Sequence, residues 1–262
     1  MTAQDAGETN APPVASESST PNGSPQAWQL DHELSKIPYL PSENTNTPVS
    51  FFHFISRLKT TKREGWRRFG IAHGESISDH MYRMAIMTLC APPSLTSRLD
   101  MAKCTKMALI HDMAEALVGD ITPRDGVSKS EKSRREAETM DYLCRRLLGK
   151  VNGGMNGEEI RKLWQEYEDG ETDESMFVHD VDKIELMHQM IEYERDYGGK
   201  MNLSEFARVG TRIQLPEVKE WWKEILAERE AFWKSVGHQQ TPQYDESKPD
   251  RGHEEYYGSD KA

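Results

Sequence analysis

The residues best able to do chemistry in this sequence are crowded into one stretch, Ala108-Leu109-Ile110-His111-Asp112-Met113-Ala114-Glu115, which runs on to Gly119-Asp120. An imidazole and two carboxylates set directly behind an apolar run carry a large desolvation cost unless they are paired or metal-bound. On a helix, Glu115 lies one turn beyond both His111 and Asp112, so all three can address one pocket. Asp120, in a turn marked by Gly119, can close the rim of that pocket. The chemistry open to such a set is divalent-cation binding or proton transfer. Met107, Ala108, Leu109 and Ile110 are too apolar for the alternative, a solvated face.

Two further anchors supply partners. His80 lies in Glu75-Ser76-Ile77-Ser78-Asp79-His80-Met81-Tyr82-Arg83-Met84-Ala85, where Ser and Asp can cap a helix start and Met81, Met84, Ala85, Thr88 and Leu89 form a buried stripe. His80 borders that stripe and is the expected third partner of His111 and Asp112. The other anchor is Phe177-Val178-His179-Asp180-Val181-Asp182-Lys183-Ile184-Glu185-Leu186, inside a helix predicted from about Glu174 to Tyr197. Asp182 lies on the edge of its apolar face, whereas Asp180 lies about 160° away by helix geometry, so both cannot point at one metal. Asp182 is the better candidate.

A basic segment, with Arg57, Lys59, Lys62, Arg63, Arg67 and Arg68 around Trp66 and only Glu64 as an acid, stands out in a chain of net charge -11. It is a natural place to meet a phosphate, and Trp66 can pack on a sugar or base. A solvated basic turn is the plain alternative.

The elements that must position these groups read as helices throughout, with no strand pattern and no internal repeat. Phe51, Phe54, Ile55 and Leu58 mark the first. The next starts near Ser76 and is broken by Pro92-Pro93. One helix from Leu99 to Leu117 is predicted to carry His111 and Asp112 near its end. Ser128-x-x-Glu131 reads as a capping box opening a helix through Leu148, with Lys132 to Glu138 mainly a solvated face. Asn156-x-x-Glu159 should open another through Tyr167. After the 174–197 helix, Asn202 to Phe206 should form a short one, and Pro216 begins the last, through about Trp233. That last helix carries Trp221, Trp222, Phe232 and Trp233, read as core, with a dimer seam as the other use.

Composition bounds the rest. Residues 1–48 are rich in Ser, Thr, Pro, Asn, Gly and acids and are expected to be a disordered tail, as is the acidic segment 237–262, leaving one domain at 49–236. The acidic balance disfavours a nucleic-acid polymer or an anionic membrane as partner. Cys90, Cys104 and Cys144 show no CxxC spacing and read as reduced core residues. No apolar run reaches the length of a membrane span, and no secretory or mitochondrial leader is evident, so an intracellular, cytoplasmic protein is expected, with the nucleus as the other compartment.

His80, the adjacent His111-Asp112 and the distant Asp182 resemble the H…HD…D signature of the HD-domain metal-dependent phosphohydrolases. Within that all-helical superfamily, Phe51-Phe52 with Ser56-Arg57-Leu58, the Glu75–His80 block, His111-Asp112-Met113-Ala114-Glu115 and Gly119-Asp120 resemble the 5'-deoxynucleotidases over roughly Val49 to Arg229. Several spaced blocks agree, which makes the resemblance specific. It implies an all-α HD-domain helical bundle, with His80, His111, Asp112 and Asp182 as ligands of a divalent cation. Glu115 and Asp120 match a catalytic or second-metal pair, and Arg63 with Trp66 match phosphate and nucleoside contacts. Here Glu64-Gly65 separates the latter two, where some relatives place them side by side. The mixed nitrogen and oxygen set suits Mn, Co, Fe or Mg. The implied substrates are deoxynucleoside 5'-monophosphates, and a homodimer is expected. A nucleoside triphosphohydrolase, a cyclic-nucleotide phosphodiesterase and a non-catalytic metal-binding scaffold are the alternatives.

Overall fold

The structure, a computed structural model, describes residues 27–244. Most of the two predicted tails therefore lies outside the described residues. Twelve α-helices follow one another: α1 Leu30–Ser35, α2 Val49–Ile55, α3 Glu64–Arg68, α4 Ile77–Leu89, α5 Pro93–Thr96, α6 Met101–Ala108, α7 Glu115–Val118, α8 Lys129–Asp141, α9 Met155–Asp169, α10 Asp173–Asp196, α11 Ser204–Ala207 and α12 Pro216–Ser235. Among the described residues the only β feature is an isolated antiparallel bridge between Lys62 and Ser76, so the expected all-α fold is what the sequence adopts.

Local sequence explains the long helices. Ser76 Oγ accepts from the backbone N–H of Asp79 at 3.2 Å, and Asp79 returns the bond by accepting from the Ser76 N–H at 2.8 Å, closing a capping box on α4. Ser128 caps α8 through the Glu131 N–H, but the Glu131 carboxylate turns to Arg134 and Arg135, so that box is only half formed. Pro216 opens α12 as predicted.

Several boundaries differ from the expectation. The run Leu99 to Leu117 is not one helix: α6 stops at Ala108, and residues 109–114 wind as tight turns before α7. The backbone N–H groups of Ile110, Met113 and Glu115 reach back only three residues, a tighter pitch than the α-helix. Asn156 does not cap α9, which begins at Met155 behind a left-handed Gly154. Residues Tyr142–Leu147 continue α8 as a π-helix. Order also begins earlier than Val49, because Leu34 of α1 is buried and Arg146 ties the segment down through Asp31 and Glu43. Cys104 and Cys144 are buried free thiols, but Cys90, at the C-cap of α4, is exposed and is not a core residue.

The core has two parts. One gathers α4, α6, α10 and α12, with Met84, Met107, Phe177, Val181 and Ile225 at its centre. The other gathers α1, α2, α8 and α9, with Phe54, Tyr142, Leu143 and Trp164. Of the aromatic residues of α12, Trp221 and Trp222 pack against the first part, while Trp233 is buried with its indole N–H on Glu194. Core packing, the expected use of this helix, accounts for these contacts. His80 and the His111-Asp112 turn lie where the two parts meet. Ile77 and Met81 flank His80 in one cluster while Met84 and Ala85 belong to the other, and Ala108 and Ile110 divide in the same way.

Candidate metal centre

α4 delivers His80 from its first turn, the tight turn after α6 delivers His111 and Asp112, and the middle of α10 delivers Asp182. His80 Nε2 stands 3.2 Å from Asp182 Oδ1 and 3.8 Å from Asp112 Oδ2, and His111 Nε2 stands 3.2 Å from the same Asp112 oxygen. His80, His111 and Asp112 offer donor atoms all within 4.8 Å of one another, and Asp182 joins them through His80. Both Nε2 atoms are buried without a hydrogen-bond partner among the described residues. Buried polar atoms are almost always partnered. Two converging imidazole nitrogens with carboxylate oxygens close by, but not aligned to bond them, form a donor set that fits one divalent cation.

The opposite ring nitrogens are held. His80 Nδ1 lies 2.6 Å from Glu185 Oε2 on α10, both residues being fully buried. His111 Nδ1 lies 3.0 Å from the carbonyl oxygen of Ala108, and its ring is tilted against Tyr167, which in turn stacks on His179.

Arg63 enters from the turn before α3, and its Nη1 donates to Asp112 Oδ2 at 3.2 Å. Burial works against the guanidinium, yet Asp120, Asp112 and Asp182 hold it firmly charged. In return, although burial opposes it, the neighbouring His111, Arg63 and His80 keep Asp112 well below the usual carboxylate range. Burial and Arg63 likewise disfavour a charged His80, but Glu185 and Asp182 outweigh them and raise the imidazole to about 10.

Glu115 begins α7 and is almost fully buried, with Oε2 unpartnered among the described residues. Burial, then the nearby Asp112 and Asp120, push its carboxyl well above the ordinary range, which suits a group that holds or passes a proton. α7 ends at Gly119, whose φ of 72° with ψ of 174° is open to glycine and strained for other residues. That turn sends Asp120 back to accept the backbone N–H of Glu64 at 2.7 Å. Asp120 thereby ties the loop after α7 to the start of α3.

All of these side chains but His80 and its partner Glu185 line one cavity of about 570 Å³, large enough for a nucleotide-sized ligand. Its wall includes Arg63, Trp66, His111, Asp112, Glu115, Asp120 and Asp182, together with Tyr167, His179 and Phe206. Trp66 is only 1% exposed. Its ring packs on Phe206 with centroids 4.3 Å apart and its indole N–H donates to Glu75 at 2.8 Å. The basic segment does not act as a block: Arg57 binds the Ala116 carbonyl, Lys62 the Gly74 carbonyl and Arg67 the Glu64 carboxylate, while Arg63 and Arg68 face the cavity.

Sequence reasoning missed several of these groups. Lys132, Ser133 and Glu136 line the cavity rather than solvent. Glu185 sits one helical turn beyond Asp182, and Arg83 one turn beyond His80, so the same spacing that selected Asp182 over Asp180 could have found them. Asp180 itself is fully buried and accepts the backbone N–H groups of Gln214 and Leu215, just before α12.

The HD domain family matches residues 55–222 of this chain. The chain belongs to that family. This HD domain is 49% identical over 189 residues to the 5'-deoxynucleotidase hdd1 of Schizosaccharomyces pombe, covering 72% of this chain and 93% of that protein. It is 36% identical over 182 residues to the 5'-deoxynucleotidase HDDC2 of Homo sapiens, covering 69% of this chain and 85% of the relative. Among solved structures, the HD domain-containing protein YGK1 superposes with a TM-score of 0.57 at 33% identity, covering 78% of this chain and 93% of that one. A conserved hypothetical protein from Pyrococcus furiosus gives 0.55 at 29% identity, covering 69% and 97%. No helix among the described residues is long and apolar enough to cross a membrane.

Proposed function

We infer that this protein is a metal-dependent 5'-deoxynucleotidase that converts deoxynucleoside 5'-monophosphates to deoxynucleosides and inorganic phosphate. The observation that carries the reading is the convergence of two unpartnered buried imidazole nitrogens, of His80 and His111, with Asp112, Asp182 and Arg63; His111 and these last three also line the cavity. Relatives that align over most of their length and are named for this activity support it.

His80, His111, Asp112 and Asp182 would hold the cation, with Mn, Co or Mg as the candidates. When bound, a divalent cation supplies Lewis-acid activation of water and of a phosphoryl oxygen. In the hydrolysis, the oxygen of water forms a bond to phosphorus as the bond from phosphorus to the 5'-oxygen breaks, and one proton passes from the water to the departing alkoxide. Arg63 offsets charge on the phosphoryl oxygens. Glu115, whose carboxyl is raised by burial, serves as the acid-base group, and Asp120 fixes the loop beside it. Trp66 and Phe206 give the cavity an apolar wall for the nucleoside.

Phosphate release from several deoxynucleoside 5'-monophosphates, measured after chelation and after adding back each metal, tests the activity. Turnover lost on chelation and restored by one or more divalent cations supports it, and no release under any metal refutes it. A homodimer belongs to the same reading, supported by the exposed Tyr82, Ile86 and Leu89, which recur along one face of α4. Light scattering of the purified protein measures it directly. A monomer at micromolar concentration would remove that part.

A further inference from the structure

We propose that Glu185 is a positioning residue that fixes the ring orientation and tautomer of His80, and that Arg83 holds Glu185 in place for this purpose. The proposal rests on the reading of His80 as a cation ligand. Glu185 Oε2 lies 2.6 Å from His80 Nδ1, and its other oxygen accepts from Arg83 Nε at 2.8 Å. Both His80 and Glu185 are 0% exposed, so no water competes for either bond. A neutral imidazole, the form that can ligate a cation, presents Nε2 as its lone-pair nitrogen when it gives its Nδ1–H to a carboxylate, and Nε2 is the atom left unpartnered beside Asp182 and Asp112.

Arg83 is anchored in turn. It donates to Glu192 at 2.6 Å and to Gln189 at 2.8 Å, both on the outer side of α10. A carboxylate pinned at one oxygen by a guanidinium that two further side chains orient is held against the histidine. The chain of contacts runs from the surface of α10 through Arg83 and Glu185 to His80, and it locks α4 to α10 at the level of the site. Glu75, His80 and Glu185 also lie within ligand distance of one another. That group is satisfied without an ion, because Trp66 donates to Glu75 and Arg83 to Glu185.

Cobalt(II) affinity, measured by competition with a chelating dye, separates the possibilities without any assay of turnover. Glu185→Ala should weaken cobalt binding by about tenfold to a hundredfold. Glu185→Gln, which loses the charge but keeps a carbonyl oxygen to accept the Nδ1–H, should recover most of that loss. Wild-type affinity in Glu185→Ala overturns the proposal, and so does equal weakness in both variants, since charge alone would then explain it. Unchanged binding in His80→Ala would sink the underlying ligand assignment instead. Should Glu185→Ala fail to fold, the wild-type chain loaded with zinc(II) and labelled with 15N-histidine decides. The His80 Nδ1 resonance should be that of a protonated ring nitrogen, and a protonated Nε2 would contradict the proposal.

Discussion

Asp182 Oδ1 stands 3.2 Å from His80 Nε2, while Asp180, two residues earlier on the same helix, faces away and holds the residues just before α12 by their backbone N–H groups. Two carboxylates of nearly identical sequence context therefore have separable roles. Asp182→Ala should lose bound metal by elemental analysis and lose turnover, with helical content by circular dichroism little changed. Asp180→Ala should keep its metal site but lose roughly 1 to 3 kcal/mol of stability in denaturant melts, because the buried Leu215 N–H, with the part-buried Gln214 N–H beside it, loses its acceptor. The reverse pattern would exchange the two assignments.

Glu115→Gln keeps the shape of the side chain and removes its capacity to take a proton at neutral pH. Turnover should fall about a hundredfold or more if Glu115 is the acid-base group. Partial recovery on adding metal would make Glu115 chiefly a ligand, and wild-type turnover would leave it a structural role.

Burial pushes Glu136 up to about 8, against the opposing pull of Lys132. A carboxyl whose folded value lies above its unfolded one stabilises the fold as an acid. That contribution is complete below the ordinary carboxyl value of 4.5 and is lost as pH rises toward about 8. Glu136→Gln is neutral throughout and escapes the loss. Its melting temperature should match that of the wild type below pH 5 and exceed it by several degrees at pH 9. Melting temperatures that stay parallel across this range would show that Glu136 is not held protonated.

Arg63→Ala should lower kcat/KM for every 5'-monophosphate together, by about a hundredfold, because it addresses the phosphate they share. Trp66→Ala should chiefly cost stability, about 3 to 5 kcal/mol, since the ring is buried against Phe206. Trp66→Phe, which keeps the bulk and removes the bond to Glu75, is the variant in which a change of sugar or base preference can be read from steady-state kinetics. Selective loss of one base with Arg63→Ala would place that guanidinium on the nucleoside.

The site was legible wherever residue type and helical phase both constrained it. His80 borders an apolar stripe in a capped first turn, and the half-turn offset between Asp180 and Asp182 allowed only one of them to face the cavity. The helix expected to carry His111 was not legible as a break, because Leu109-Ile110 continues the apolar pattern while the backbone tightens into three-residue turns. Glu136 was hidden in a run of charged residues that looks solvated, and only the packing of α8 over the cavity turns it inward. Trp66 was chosen for its place beside the basic residues, whereas its burial is set by Phe206 and Tyr193, far away in sequence.

The most direct test of the account compares paired substrates under one metal and at subsaturating concentration, dAMP against AMP and each further deoxynucleotide against its ribonucleotide. A sugar pocket packed at the 2' position leaves an added hydroxyl without a hydrogen-bond partner, a penalty of about 1 to 3 kcal/mol, or about tenfold to a hundredfold in kcat/KM. The account predicts that margin for the deoxy member of every pair, with comparable rates across bases and poor cleavage of 3'-monophosphates. Equal rates for dAMP and AMP would contradict it.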